Sequence, residues 1–260
     1  MADLAGAHAK IQRSREHLNA LYRSIKRWDD AKTYAYSLEP DPEDRARWLV
    51  RLSMPDPPDV TRWALIFGDL LSCCRAALDH TVYALAVAHN RTDPPPDADR
   101  LQYPICDTKP AFWSAREQRR IAALSPAMRA EIYRSQPCVG EHGTREPALN
   151  LLRTLNNADK HKLLHIAALV PQRYEGDFDP PIRGECRGIL SQGPTEDGAV
   201  VLTLEFSEPQ DRVQMGLMLT LFIGLEYRRT EQRYVGLGDA AGACVIATRN
   251  TVGRLERFIR

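Results

Sequence analysis

Arg75, Asp79 and His80 stand close together in Gly68-Asp-Leu-Leu-Ser-Cys-Cys-Arg-Ala-Ala-Leu-Asp-His80, a stretch otherwise dominated by apolar and small residues. An arginine can hold phosphate oxygens in a fork, and a histidine can move protons near neutral pH, so the pair is suited to phosphodiester chemistry. A helix that buries most of its surface keeps such groups only where they pair, face a cleft or meet another chain. A second polar set follows in Asn156-Asn157-Ala158-Asp159-Lys160-His161, with His165 four positions beyond His161. Residues four apart share a helix face. His80, His161, His165 and a carboxylate from Asp69, Asp79 or Asp159 could therefore meet in a core. Plainer accounts exist for each set. Arg75 and Asp79 can form an intrahelical ion pair worth a few tenths of a kcal/mol, and the paired asparagines can fix a kink or helix register. Arg75 and His80 lie about 140° apart on a regular helix, so they converge only through a kink or a partner chain. The two polar sets are expected to touch, because burying each alone would be costly.

Leu4, Ile11, Leu18 and Ile25 recur every seven residues, which predicts an amphipathic helix over 1–28 whose other face is largely basic. Tyr34, Tyr36, Trp48, Val50 and Leu52 alternate with other residues on either side of Pro40-Asp-Pro42, the pattern of a β-hairpin. A helix apolar on nearly every face follows over 60–89, broken by Asp93-Pro-Pro-Pro. Tyr103-Pro-Ile105 reads as extended, two modest helices lie near 110–124 and 125–135, and Gln136 to Thr144 is a loop. A further helix is expected over 147–169. After Pro171 the period switches to two, predicting strands at 184–190, 199–206 and 213–227, the last two paired with each other. A final helix covers 240–259. The expected fold is α+β: mainly a helical bundle of four long helices with an inserted N-terminal β-hairpin and a C-terminal antiparallel β segment. It forms a single domain over 1–260, with the bundle from 1–30, 58–169 and 239–260 and β insertions at 31–54 and 182–228.

Composition narrows the function classes. With 260 residues, of which 43% are hydrophobic and 27% charged, the chain has the make-up of a soluble globular domain. A net charge of +1 gives no global attraction to nucleic acid, so any such site must be a local patch. The six cysteines form no CxxC pair, which disfavours zinc-finger and disulfide scaffolds and suits free thiols in a reducing cytoplasm. No apolar signal core opens the chain, and the longest apolar run, Met215 to Leu225, is too short to span a bilayer as a helix. A cytoplasmic protein without membrane contact is expected. P-loop, glycine-fingerprint and serine-hydrolase motifs are absent.

Arg75-Ala-Ala-Leu-Asp-His80 resembles the Arg-x4–6-His motif of the HEPN superfamily. Gly68-Asp69, the same hexapeptide, Tyr103-Pro-Ile105, Gln136-Pro137 and Asn157-Ala-Asp-Lys-His161 together resemble a group of largely actinobacterial proteins, over about residues 60–170, a likeness that carries no activity with it. The HEPN resemblance implies a metal-independent endoribonuclease acting on RNA as a homodimer without a cofactor, in a toxin or phage-defence role. His80 would act on the attacking 2′-OH or the leaving group, and Arg75 would stabilise the charged phosphorane. Asp79 and His161 would complete the catalytic set, supported by Asp69, Asn157, Asp159 and Lys160. Two readings from other classes stand beside it. One is a metal-dependent bundle enzyme holding a divalent metal at His80, His161 and His165 with Asp69, Asp79 or Asp159. The other is a non-catalytic binding module that uses the bundle cleft or the β segment.

Overall fold

The structure, a computed structural model, describes residues 3–31, 34–139, 147–164, 166–178, 181, 183–191, 195–227 and 234–259. His165, the outer part of the loop running to Thr144 and the first residues of the expected hairpin, Lys32 and Thr33, lie outside them. In chain order the elements are α1 (Ala5–Asp30), β1 (Ala35–Pro40), β2 (Arg47–Ser53), α2 (Val60–Asn90), α3 (Lys109–Phe112), α4 (Ala115–Arg119), α5 (Pro126–Arg134), α6 (Pro147–Asp159), β3 (Ile166–Phe178), β4 (Cys186–Leu190), β5 (Val200–Phe206), β6 (Met215–Glu226), β7 (Tyr234–Gly236) and α7 (Leu237–Glu256). They divide into a helical unit, Met1–Tyr22, Ala64–Leu164 and Gly238–Arg260, and a sheet unit, Arg23–Trp63 and His165–Leu237.

In the helical unit α2 supplies the core. Phe67, Leu70, Leu71, Cys74, Leu78, Val82 and Leu85 are all fully buried, as a helix apolar on most faces requires. Its start is capped by Asp59, whose carboxylate accepts from the Arg62 N–H at 2.9 Å. Its end is marked by Arg91 in the left-handed region at φ 57°, just before the proline run. By length and composition α2 could also cross a membrane; 56% of its most apolar stretch is buried within the protein, and Leu65 is exposed. Glycine lets α1 come close to it: a Cβ on Gly6 would stand 2.6 Å from His80 Nδ1. Tyr22 donates to the Gly238 carbonyl of α7 at 3.0 Å.

The sheet unit holds two antiparallel sheets among the described residues, ordered β1-β2-β5-β4 and β3-β6-β7. Trp48 faces Leu204 and Val50 faces Leu202 across β2 and β5. These residues, with Leu52, Val201, Phe206, Leu169 and Val213, form one apolar core. The Tyr174 ring covers Gly188, where a Cβ would collide with it, so β3 and β4 lie close.

The expected bundle of four long helices is not what the chain builds. The helix expected through Leu169 ends at Asp159, and β3 begins at Ile166. Leu163, Leu164, Ile166 and Leu169 satisfy helical spacing in the sequence, but Pro171 cannot continue a helix. It is accommodated instead in an edge strand, between two register shifts of the β3–β6 ladder. Nor is the N-terminal hairpin a separate insertion. β2 pairs with β5 and becomes an interior strand of the four-stranded sheet. β5 and β6 do not pair with each other: β5 lies between β2 and β4, and β6 between β3 and β7. Alternation shows that a strand has one buried face, but it does not name the strand's neighbours.

All six cysteines are free. Burial pushes the Cys74 thiol up to about 11 and the Cys106 thiol up to about 12, so both stay protonated and behave as packing groups.

Candidate functional site

Arg75 and Asp79 sit one turn apart on α2 and pair as their spacing allows. The guanidinium donates through Nε to Asp79 Oδ2 at 3.2 Å and through Nη2 to Oδ1 at 2.9 Å. Nη2 also donates to the Tyr103 carbonyl at 2.7 Å, and the Tyr103 N–H donates to Asp79 Oδ1 at 2.9 Å. The ion pair thus grips both polar groups of one residue, as a neighbouring strand would. The segment it grips, Tyr103 to Cys106, is buried and belongs to no helix or sheet, so its backbone must find partners elsewhere. Gln136 supplies more of them. Its side-chain oxygen accepts from the Cys106 N–H at 2.9 Å, and its amide donates to the carbonyls of Pro104 at 2.9 Å and Ile132 at 3.0 Å. Arg153 of α6 meets Asp107 at 2.6 Å. Two of the sequence motifs, Arg75 to Asp79 and Gln136, therefore converge on a third, the buried extended segment that includes Tyr103 to Ile105, and brace it.

His80 points elsewhere. It is exposed and lines a recess of about 240 Å³ together with Asp3, Gly6, Tyr83, Val87 and Asp93. Tyr83 donates to Asp93 Oδ1 at 2.8 Å, and Asp3 Oδ1 accepts from the Ala5 N–H at 2.9 Å. Two carboxylates make this recess repellent to phosphate.

The second polar set meets α2 near its start. Asp159 lies against Gly68, where a Cβ would stand 2.6 Å from either carboxylate oxygen. Burial raises the Asp159 pKa above the usual carboxylate value, and the negative charge of Asp69 raises it further. Asp69, Asn157, Lys160 and His161 are exposed, whereas Asn156 is buried. His80 lies about 18 Å further along the helix axis from Gly68, and neither Asp159 nor His161 lines its recess. The expected single cluster thus separates into three places: Arg75 with Asp79, Asp69 with Asp159, and His80 apart from both. The burial argument for a cluster does not apply to groups that water already solvates. Among the described residues no group of three or more His, Cys, Asp and Glu is arranged to hold a metal, and His165 is not among those residues.

Asp159 gives a pH prediction. Its folded pKa is raised, so the stabilisation it provides is present below its unfolded pKa and is lost as pH rises through the folded value. At neutral pH the carboxylate weakens the fold, beside Asp69 and at a helix C-terminus. Asp159→Asn is expected to raise the melting temperature near pH 7 by about 1–2 °C, a small effect because solvent screens the group. The gain should vanish as the pH falls below the carboxylate range, which thermal scans across pH will check.

A different group of residues converges on chemistry that the motif analysis missed. Arg100, Gln102, Ala115, Arg116, Arg119 and Arg120 line an open groove of about 580 Å³ with no carboxylate in its wall. Ser114 caps α4, accepting from the Glu117 N–H at 3.4 Å, and Arg120 is held by Glu117 at 2.8 and 3.0 Å. The Gln102 N–H donates to the Arg120 carbonyl at 3.3 Å. Gln102 immediately precedes the clamped Tyr103, so the brace fixes one wall of the groove. The other arginines are loosely engaged. Arg100 is 3.7 and 3.8 Å from Asp97 and Asp99, Arg116 is 3.9 Å from Glu117, and exposed Arg119 makes no ion pair among the described residues. The available signal was the triplet Arg116, Arg119 and Arg120 at helical spacing. The resemblance to HEPN proteins rests on its motifs alone, since no protein-family model, curated protein or solved structure matches this chain.

Proposed function

We propose that this protein is a non-catalytic binding module for a phosphate-rich polyanion, taken in the arginine groove that the Arg75–Asp79–Gln136 brace supports. The observation that carries this reading is a groove lined by four arginines, of which Arg120 is paired with Glu117, Arg100 and Arg116 make only long contacts to Asp97, Asp99 and Glu117, and Arg119 makes no ion pair among the described residues, in a chain whose net charge is only +1. Such a local patch attracts and orients phosphates without global charge. The loosely held guanidinium groups can exchange their weak carboxylate contacts for bidentate phosphate contacts. Cleavage of RNA at Arg75 and His80 is favoured less. Arg75 would have to release Asp79 and Tyr103, and the phosphate would have to enter beside Asp3 and Asp93.

Fluorescence anisotropy with labelled polyphosphate and a labelled single-stranded RNA tests the proposal. Binding at low salt that weakens as salt rises, and that is lost in Arg116→Glu/Arg119→Glu, is the expected result. Binding untouched by that double variant, or no binding of either probe, would overturn it. RNA cleavage abolished by His80→Ala but intact in the groove variant would favour the ribonuclease.

A further inference from the structure

We infer that the polyanion is a single-stranded nucleic acid, one base of which stacks on Trp113; this rests on the groove reading above and names its ligand. Trp113 is 59% exposed, an unusual state for so large an apolar side chain. It is also held in place rather than loose. Its ring meets Phe112 edge-on at 5.1 Å and Tyr133 at a tilt at 5.2 Å, and Phe112 is itself fully buried. The backbone beneath it is tied as well: Gln118 donates to the Phe112 carbonyl at 2.8 Å, and the Trp113 and Ser114 N–H groups bond back to Lys109 and Ala111. An ordered, exposed indole loses little conformational freedom when a flat ligand covers it.

Trp113 does not itself line the groove, but the chain places it close by. Trp113 is two residues before Ala115, a wall residue, so their Cα atoms lie within about 7.6 Å. The next turn carries Arg116, Arg119 and Arg120. A cationic track beside an aromatic platform is the arrangement that single strands use, backbone on the arginines and base on the ring. Polyphosphate has no base to offer, and a duplex keeps its bases stacked inside.

The test is anisotropy with a labelled oligouridylate, a duplex of the same length and labelled polyphosphate, using the wild-type protein, Trp113→Ala and Trp113→Phe. Trp113→Ala is expected to weaken the single strand roughly 10-fold or more and to leave polyphosphate within about twofold, since only a base can stack on the ring. Trp113→Phe, which keeps an aromatic face and guards against a simple folding defect, should retain most of the single-strand affinity. Equal losses for oligouridylate and polyphosphate, no loss for either, or a preference for the duplex would overturn the stacking inference and leave the groove reading intact. Absence of binding to every probe would instead remove the groove reading itself.

Discussion

Replacing Asp79 by alanine lowers the stability of the protein by about 3 kcal/mol, expected from the loss of a part-buried, hydrogen-bonded charge partner. For a chain of this size that corresponds to a fall in melting temperature of roughly 6–12 °C. The carboxylate accepts from Arg75 twice and from the Tyr103 N–H. Its removal leaves the Arg75 guanidinium, whose side chain is only 14% exposed, without its counter-charge. It also loosens the grip on a segment that has no ladder of its own. Arg75→Ala should cost a similar amount, since it removes the donor to the Tyr103 carbonyl. His80→Ala, by contrast, should change stability by no more than about 0.5 kcal/mol, because the side chain is exposed. Thermal and urea denaturation of the three variants will show whether neighbours in one motif differ this much. Equal effects at Asp79 and His80 would mean that the brace is not what the motif provides.

Reversing Arg116 and Arg119 to glutamate is expected to weaken polyanion binding roughly 100-fold at low salt. The same variant should shift the melting temperature by no more than about 2 °C, because neither side chain is engaged in the fold beyond a marginal contact to Glu117. Three phosphate contacts on a single strand, from Arg100, Arg116 and Arg119, predict that log K falls with log salt at a slope of about −2, and losing two of them should bring it to about −0.7. Titrations at several salt concentrations measure both numbers. The two predictions are complementary, since Asp79→Ala acts through the fold and the charge reversal acts on the groove alone.

The residues show why some of this was legible in the sequence and some was not. Trp48, Val50 and Leu52 alternate because one face of β2 is buried, and that period is visible in any strand with one wet side. That β2 lies against β5 was not visible, since the partner is some 150 residues away and nothing local encodes it. α2 is bounded by Asp59 and by the proline run, so its extent could be read. The end of α6 was hidden because Leu163 to Leu169 carries apolar residues at a spacing that fits a helix as well as a strand. Arg75 and Asp79 were recognisable as a pair, but their purpose lies in Tyr103, which only the fold brings to them. His80 and His161 looked costly to bury and are not buried. The arginine groove draws on Arg100 and Gln102 from one segment and on Ala115, Arg116, Arg119 and Arg120 from another, and a nearly neutral whole-chain charge conceals a patch of that size.

Hydrogen–deuterium exchange of the protein with and without a saturating single-stranded RNA oligomer discriminates between the groove and the Arg75 and His80 motif. Slowed exchange confined to residues 98–121, with the peptides covering residues 75–93 unchanged, is the result expected of binding in the proposed groove, since neither Arg75 nor His80 lines it. Slowed exchange over residues 75–93 with no change at 98–121 would contradict the account and return the site to the Arg75 and His80 motif.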